Sequence, residues 1–250
     1  MSIKKLVIAA TSFLLSASAL ADPYDNYLHQ QSGVPFFATL SIGPAWVGGG
    51  DKKNVRLEPD VVKTYTINSN TDEISGIIEL FAGYACHFNE SFITQLGLEV
   101  AVTSSSNLTG DVWEDANPNF NNFTYTYKVR HQHIAAKAKF IGDLDYMLPY
   151  FSVGLGYGMN NSSNFSISPK IYPEIPAPPF GNNDQSAFTY SLGAGLDMPV
   201  TDNFQIGIGY EFLNWGKTQL APAWGQTTNS VLSLSNLYTQ QFLINFTYLA

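Results

Sequence analysis

The stretch Phe188-Thr189-Tyr190-Ser191-Leu192-Gly193-Ala194-Gly195-Leu196 changes character at every step. Phe188, Tyr190, Leu192, Ala194 and Leu196 are apolar, and Thr189, Ser191, Gly193 and Gly195 are small or weakly polar. A period of two marks a β-strand with unlike faces, because successive side chains of a strand point to opposite sides. The following segment repeats the pattern, setting Phe204, Ile206, Ile208, Tyr210 and Phe212 against Gln205, Gly207, Gly209 and Glu211. The preceding one sets Val153, Leu155, Tyr157 and Met159 against Ser152, Gly154, Gly156 and Gly158.

Outward from these three, the alternation recurs until eight segments are counted. Phe36, Ala38, Leu40 and Ile42 open the series, followed by Ile78, Leu80, Ala82, Tyr84, Cys86 and Phe88, and then Phe92, Leu96, Leu98, Val100 and Val102. The fourth carries Ile134, Ala136, Ala138 and Phe140, and the last carries Tyr238, Phe242, Ile244, Phe246 and Tyr248. Connections alternate in length. Residues 89–90, 142–147 and 198–203 are short turns, whereas 26, 19, 26 and 20 residues lie at 48–73, 104–122, 160–185 and 216–235. An even number of ten-residue strands, with short turns at one end and long connections at the other, is the pattern of an outer-membrane barrel. Lipid cannot hydrogen-bond a free strand edge, so a membrane sheet must close on itself. A soluble β-sandwich shares the alternation, but its solvated face would carry Lys, Glu and Thr. Here ten glycines (43, 83, 97, 154, 156, 158, 193, 195, 207 and 209) fall on the non-apolar phase. A narrow eight-stranded lumen needs such small residues. The expected fold is all-β, an eight-stranded antiparallel up-and-down transmembrane β-barrel over residues 36–249.

Composition agrees. The 250 residues are 45% hydrophobic and 14% aromatic but only 13% charged, about half the charge of an ordinary soluble domain. No apolar run of the roughly 20 residues a helical span needs follows the first two dozen positions. A net charge of −8 with scattered Lys and Arg argues against a nucleic-acid surface. Cys86 is the single cysteine, which excludes an intrachain disulfide and a cysteine-based zinc cage. Residues 1–21 read as a secretory signal, with Lys4 and Lys5, an apolar stretch at 6–15, and the small-residue site Ala19-Leu20-Ala21. Residues 22–35 are then a short periplasmic segment.

The chain resembles the small eight-stranded outer-membrane barrels, such as the transmembrane domain of outer membrane protein A and its relatives. Phe242, Ile244, Phe246 and Tyr248 look like the alternating C-terminal signal by which such barrels are inserted, although Leu249 and Ala250 follow where that family usually ends on Phe. The resemblance implies a bacterial outer-membrane location, insertion by the barrel-assembly machinery, and outer-membrane lipids as neighbours.

Counting residues from the short turns places Glu79, Glu99, Glu211 and His133 on the inward phase in one central layer, with Lys137 and Lys139 nearer the periplasmic end. These charges either pair and plug the interior, as buried ions must, or line a narrow aqueous path for small cations. The fourth strand poses a puzzle. Phe123, Tyr125, Tyr127 and Val129 share the phase of inward His133 and Lys137. Either the strand slips by a bulge at 130–132, or its upper part stands above the membrane, and the second arrangement is the expected one.

Chemistry finds little support. His29, His87, His131 and His133 are the four histidines, and no G-x-S-x-G elbow is present. His131 and His133 share a face but have no carboxylate neighbour in sequence, so no metal, no cofactor and no enzymatic activity are expected. The long connections are chemically varied: residues 51–60 are charged, 108–122 hold Trp113 and Phe120, and 167–180 are proline-rich. Loops on a rigid scaffold are where recognition usually sits. The expected role is structural or weakly porin-like, the alternative a surface adhesin binding host or extracellular ligands through its loops.

Overall fold

The structure, a computed structural model, describes residues 36–50, 52–67, 74–89, 92–144, 146–172 and 174–250. The expected signal at 1–21, the segment at 22–35 and His29 lie outside them. Thirteen strands follow one another: β1 (Phe36–Gly49), β2 (Lys53–Glu58), β3 (Val61–Ile67), β4 (Ile74–Asn89), β5 (Phe92–Thr103), β6 (Ser106–Glu114), β7 (Asn121–Gly142), β8 (Leu148–Pro169), β9 (Phe180–Gly181), β10 (Asn183–Pro199), β11 (Phe204–Gln219), β12 (Ala221–Ala223) and β13 (Ser233–Leu249). Eight of them close a barrel. The order β1-β4-β5-β7-β8-β10-β11-β13 returns to β1, and every neighbouring pair is antiparallel.

The outward row is the apolar phase read from the sequence. Leu80, Leu98, Ile134, Leu155, Phe188 and Phe242 are 50–64% exposed, a surface far larger than a monomer tolerates in water and the one a lipid bilayer requires. On β13 it runs from Tyr238 to Tyr248, which at about 3.3 Å per residue and a tilt near 40° spans about 25 Å. Aromatic pairs mark both rims: Phe36–Tyr84 and Phe204–Tyr248, centroids 5.9 and 5.0 Å apart, at the short-turn end, and Phe212–Tyr238 and Tyr190–Phe212 at 5.3 and 6.2 Å at the other.

Above the membrane much of the long connections is strand rather than loop, which corrects the sequence reading. β6 continues β5 along β7, pairing Ser106 with Val129 and Val112 with Phe123. β3 pairs β6 and β2 pairs β3, while β8 and β10 extend past Asn160 and Gln185. The barrel wall therefore rises into a headpiece. β7 passes Arg130–Gln132 without a slip, keeping Arg130 opposite Asn161, His131 opposite Asn160 and Gln132 opposite Met159. Near Gln132 the polarity of its two faces inverts instead. Below, Ile134 and Phe140 face lipid; above, Lys128, Arg130 and Gln132 face water while Phe123, Tyr125, Tyr127 and Val129 are buried. The solvent outside changes from hydrocarbon to water, so the apolar side must turn inward. A search for apolar residues on the outward phase ends where the membrane ends, which is why these strands escaped it.

The headpiece core joins Tyr65, Phe123, Tyr125, Tyr127, Trp215 and Leu234 among others, with Tyr65–Tyr125 and Tyr65–Phe180 ring centroids at 5.4 and 5.5 Å. Burial pushes the phenols of Tyr65, Tyr125 and Tyr127 well above their ordinary range, so they pack as neutral rings. At the margin, burial alone would raise the Glu114 carboxyl, but hydrogen bonds from Lys63 (3.0 Å) and Asn122 (2.7 Å) hold it below its usual value.

Candidate functional site: the filled interior and the exposed tip

The interior is stacked in layers. At the short-turn end Phe37, Phe81, Ala85, Ile93, Ile141, Leu148 and Leu249 form an apolar floor, with Tyr150 packed on it. Above it the Lys139 ammonium donates to Asp197, and Asn245 donates to the Tyr150 hydroxyl at 2.9 Å. Glycines opposite make the room: a Cβ at Gly209 would lie 2.1 Å from the Tyr150 hydroxyl oxygen.

The next layer holds the acidic residues singled out from the sequence. Lys137 donates to Glu99 and, at 2.6 Å, to Glu211, with Glu79 at 3.8 Å. Gln241 donates to Glu79 at 2.6 Å and to Glu211 at 3.3 Å. Counting along the strand puts Lys137 nearer the periplasm. Its Cα does pair with Gly97, below Glu99, but the four-carbon stem carries the ammonium up into the carboxylate layer. The three carboxylates offer ligand atoms within 4.8 Å of one another, a donor set suited to a hard cation, and the Lys137 ammonium takes that place.

His133 follows, its Nε2 3.2 Å from Glu99 and its Nδ1 3.1 Å from His131 Nε2. His131 Nδ1 is 2.7 Å from the Asn160 side-chain oxygen, and the His131 ring stacks on Trp215 at 4.9 Å and 7°. The carboxylate that sequence proximity did not supply to His133 comes from the neighbouring strand, where Ala101 opposite His133 sets Glu99 two residues away. Trp215 belongs to the headpiece core, so charge network and headpiece touch there. Asp197, Tyr150, Asn160, Trp215 and Gln241 were not singled out from the sequence. Each lies on the inward phase of its strand, as Asp197 continues Gly193 and Gly195, but phase alone does not tell which inward residues meet.

Among the described residues the free space beside these charges is a void of about 20 Å³ lined by Glu79, Lys137, Tyr150 and Glu211, room for about one water. It lies between the apolar floor below and the headpiece core above. The headpiece outside is different. Tyr172, Ile175 and Trp224 are 96%, 86% and 87% exposed. The described residues of 171–179, between β8 and β9, form no strand, and the β9–β12 pair sets Phe180 opposite Ala223, the residue before Trp224.

A closed eight-stranded barrel with a lipid-facing apolar band and a filled, ion-paired interior defines an integral membrane β-barrel. The family model for the outer membrane protein beta-barrel domain matches residues 7–248, and the chain belongs to that family. Its place is the bacterial outer membrane. Among solved structures it is similar to the outer membrane protease OmpT from Escherichia coli (TM-score 0.50, 11% identity, covering 88% of this chain and 99% of that one). It is similar also to Neisserial surface protein A (0.41, 15%, 87% and 99%) and to OprG from Pseudomonas aeruginosa (0.44, 12%, 87% and 96%). Likeness at these identities is a likeness of fold. No curated protein matches the chain.

Proposed function

We propose that this protein is a non-conducting outer-membrane anchor whose headpiece recognises a partner outside the cell through Ile171, Tyr172, Ile175 and Trp224. The observation that carries this reading is the contrast between a filled interior, with room for about one water beside its charges, and large apolar side chains left exposed at the outer tip. Exposed Tyr and Trp are the residue types that dominate binding energy. A proline-rich extended segment is also stiff, so it loses little entropy on docking. The reading is non-catalytic, because His131 and His133 are enclosed and their ring nitrogens are occupied by Asn160, by each other and by Glu99. Within it the barrel sits in outer-membrane lipid, inserted by the assembly machinery through outward-facing Phe242, Ile244, Phe246 and Tyr248, and nucleic acid plays no part.

The test is attachment of bacteria displaying the chain to cultured epithelial cells and to immobilised matrix proteins. Substitution serves better than deleting 167–180, since Ile167 and Phe180 pack on the headpiece core. The triple variant Tyr172→Ser, Ile175→Ser, Trp224→Ser is expected to lose attachment by about tenfold or more; full attachment would exclude this surface. Planar-bilayer recording tests the other half. The wild-type chain is expected to show no steady conductance, and a cation-selective current abolished in Glu79→Gln, Glu99→Gln or Glu211→Gln would restore the weakly porin-like alternative.

A further inference from the structure

The hydrogen bonds around His131 and His133 do not close with neutral rings. Asn160 donates its amide nitrogen to two backbone carbonyls, Trp215 O at 2.9 Å and Lys217 O at 2.8 Å. Its side-chain oxygen is thereby turned to His131 Nδ1, 2.7 Å away, and can only accept. At the other end Glu99 meets His133 Nε2, its second carboxylate oxygen accepting from Lys137. Three bonds thus run between two terminal acceptors: Asn160 to His131, His131 to His133, and His133 to Glu99. Each bond needs one proton, and two neutral imidazoles carry one each.

We infer that His131, His133 and Glu99 form a proton-binding site at the outer end of the barrel interior, holding one proton more than two neutral imidazoles and a carboxylate supply. The count is the same wherever that proton resides. An imidazolium at His131, an imidazolium at His133 or an acid at Glu99 each completes all three bonds. Two independent features favour it. The face of Trp215 stacks on His131, the geometry in which an aromatic ring stabilises a cation. Facing the site, Glu79 on β4, Glu99 on β5 and Glu211 on β11 confront the single Lys137 of β7, while Lys139 of β7 is matched by Asp197 of β10. That leaves an excess of negative charge for the proton to offset. From the headpiece side the neutral ring of Trp215 approaches. Loss of the proton leaves two acceptors opposed across one of the three bonds, directly beneath Trp215, so the site ties the seating of the headpiece core to external pH.

The sign follows from the count. In the unfolded chain imidazoles titrate near pH 6.5 and a glutamate near 4.3, so above about pH 7 the three groups hold two protons, none on the carboxylate and one on each ring, against three in the folded site. Above the unfolded imidazole value folding takes up one proton, so stability from this source falls as pH rises. Urea unfolding of the full chain in lipid vesicles between about pH 7 and 9 tests it against Glu99→Gln. In that variant the introduced side-chain amide donates to His133 Nε2, so two neutral rings complete every bond. The wild-type unfolding constant, relative to the variant, is expected to rise about tenfold per pH unit; parallel pH profiles would overturn the inference. Should Glu99→Gln fail to fold, ¹⁵N-histidine spectra and the carboxyl infrared band of the wild type at pH 8 decide. One doubly protonated ring or a protonated Glu99 upholds the site, and two neutral rings beside an ionised Glu99 exclude it.

Discussion

Lys137→Met is expected to destabilise the barrel by about 3–5 kcal/mol, the cost of stripping buried charges of their partner. Methionine fills nearly the same volume, so packing is held roughly constant and the loss reports charge. The Lys137 ammonium reaches Glu99, Glu211 and Glu79 from one point, and these three glutamates are 0–2% exposed. Without it three carboxylates face one another with Gln241 as the remaining donor to two of them, in an interior with room for about one water to screen them. The measurement is equilibrium urea unfolding of the refolded chain in vesicles. Adding Glu211→Gln to Lys137→Met should recover part of the loss, because it removes one of the unpaired anions. Lys63→Met, which parts one ion pair with half-buried Glu114, should cost about 1 kcal/mol or less. Equal effects at positions 63 and 137 would mean that the interior is not held by its ion pairs.

The second large effect is expected at Trp215. Its side chain is fully buried, stacks on His131 and belongs to the headpiece core, so Trp215→Ala should cost about 3–5 kcal/mol through lost burial and a residual cavity. The consequence should be local. The headpiece is driven together by water around it, whereas the transmembrane band is not, since lipid tails are as apolar as the residues they touch. Limited proteolysis on whole cells is therefore expected to cut Trp215→Ala between β2 and β3 or within 171–179 at least tenfold faster than the wild type, with the embedded barrel intact. Unchanged digestion would show that Trp215 does not seat the headpiece.

Legibility in the sequence followed the environment of each segment. Leu80, Leu98, Leu155 and Phe188 announce themselves because hydrocarbon demands an apolar side chain at every second position, and the closed barrel with its inward Glu79, Glu99 and Glu211 follows from that rule. Tyr65, Leu108, Val112 and Phe165 obey the same two-residue period with the opposite partner outside, and so read as loop. The inward phase shared by Tyr125 and His133 was the one visible trace of the change, and it marks the height at which lipid gives way to water.

By itself the sequence determined the number of barrel strands, the closure and the identity of the inward face, because each depends only on local alternation and on the length of the connections. The tertiary structure alone decided which inward charges meet. Lys137 comes from β7, Glu79, Glu99 and Glu211 from three other strands, and Asn160 and Trp215 from two elements distant in sequence. Their contacts depend on the stagger between strands and on the reach of a lysine stem, neither of which is written in the order of residues along any one strand.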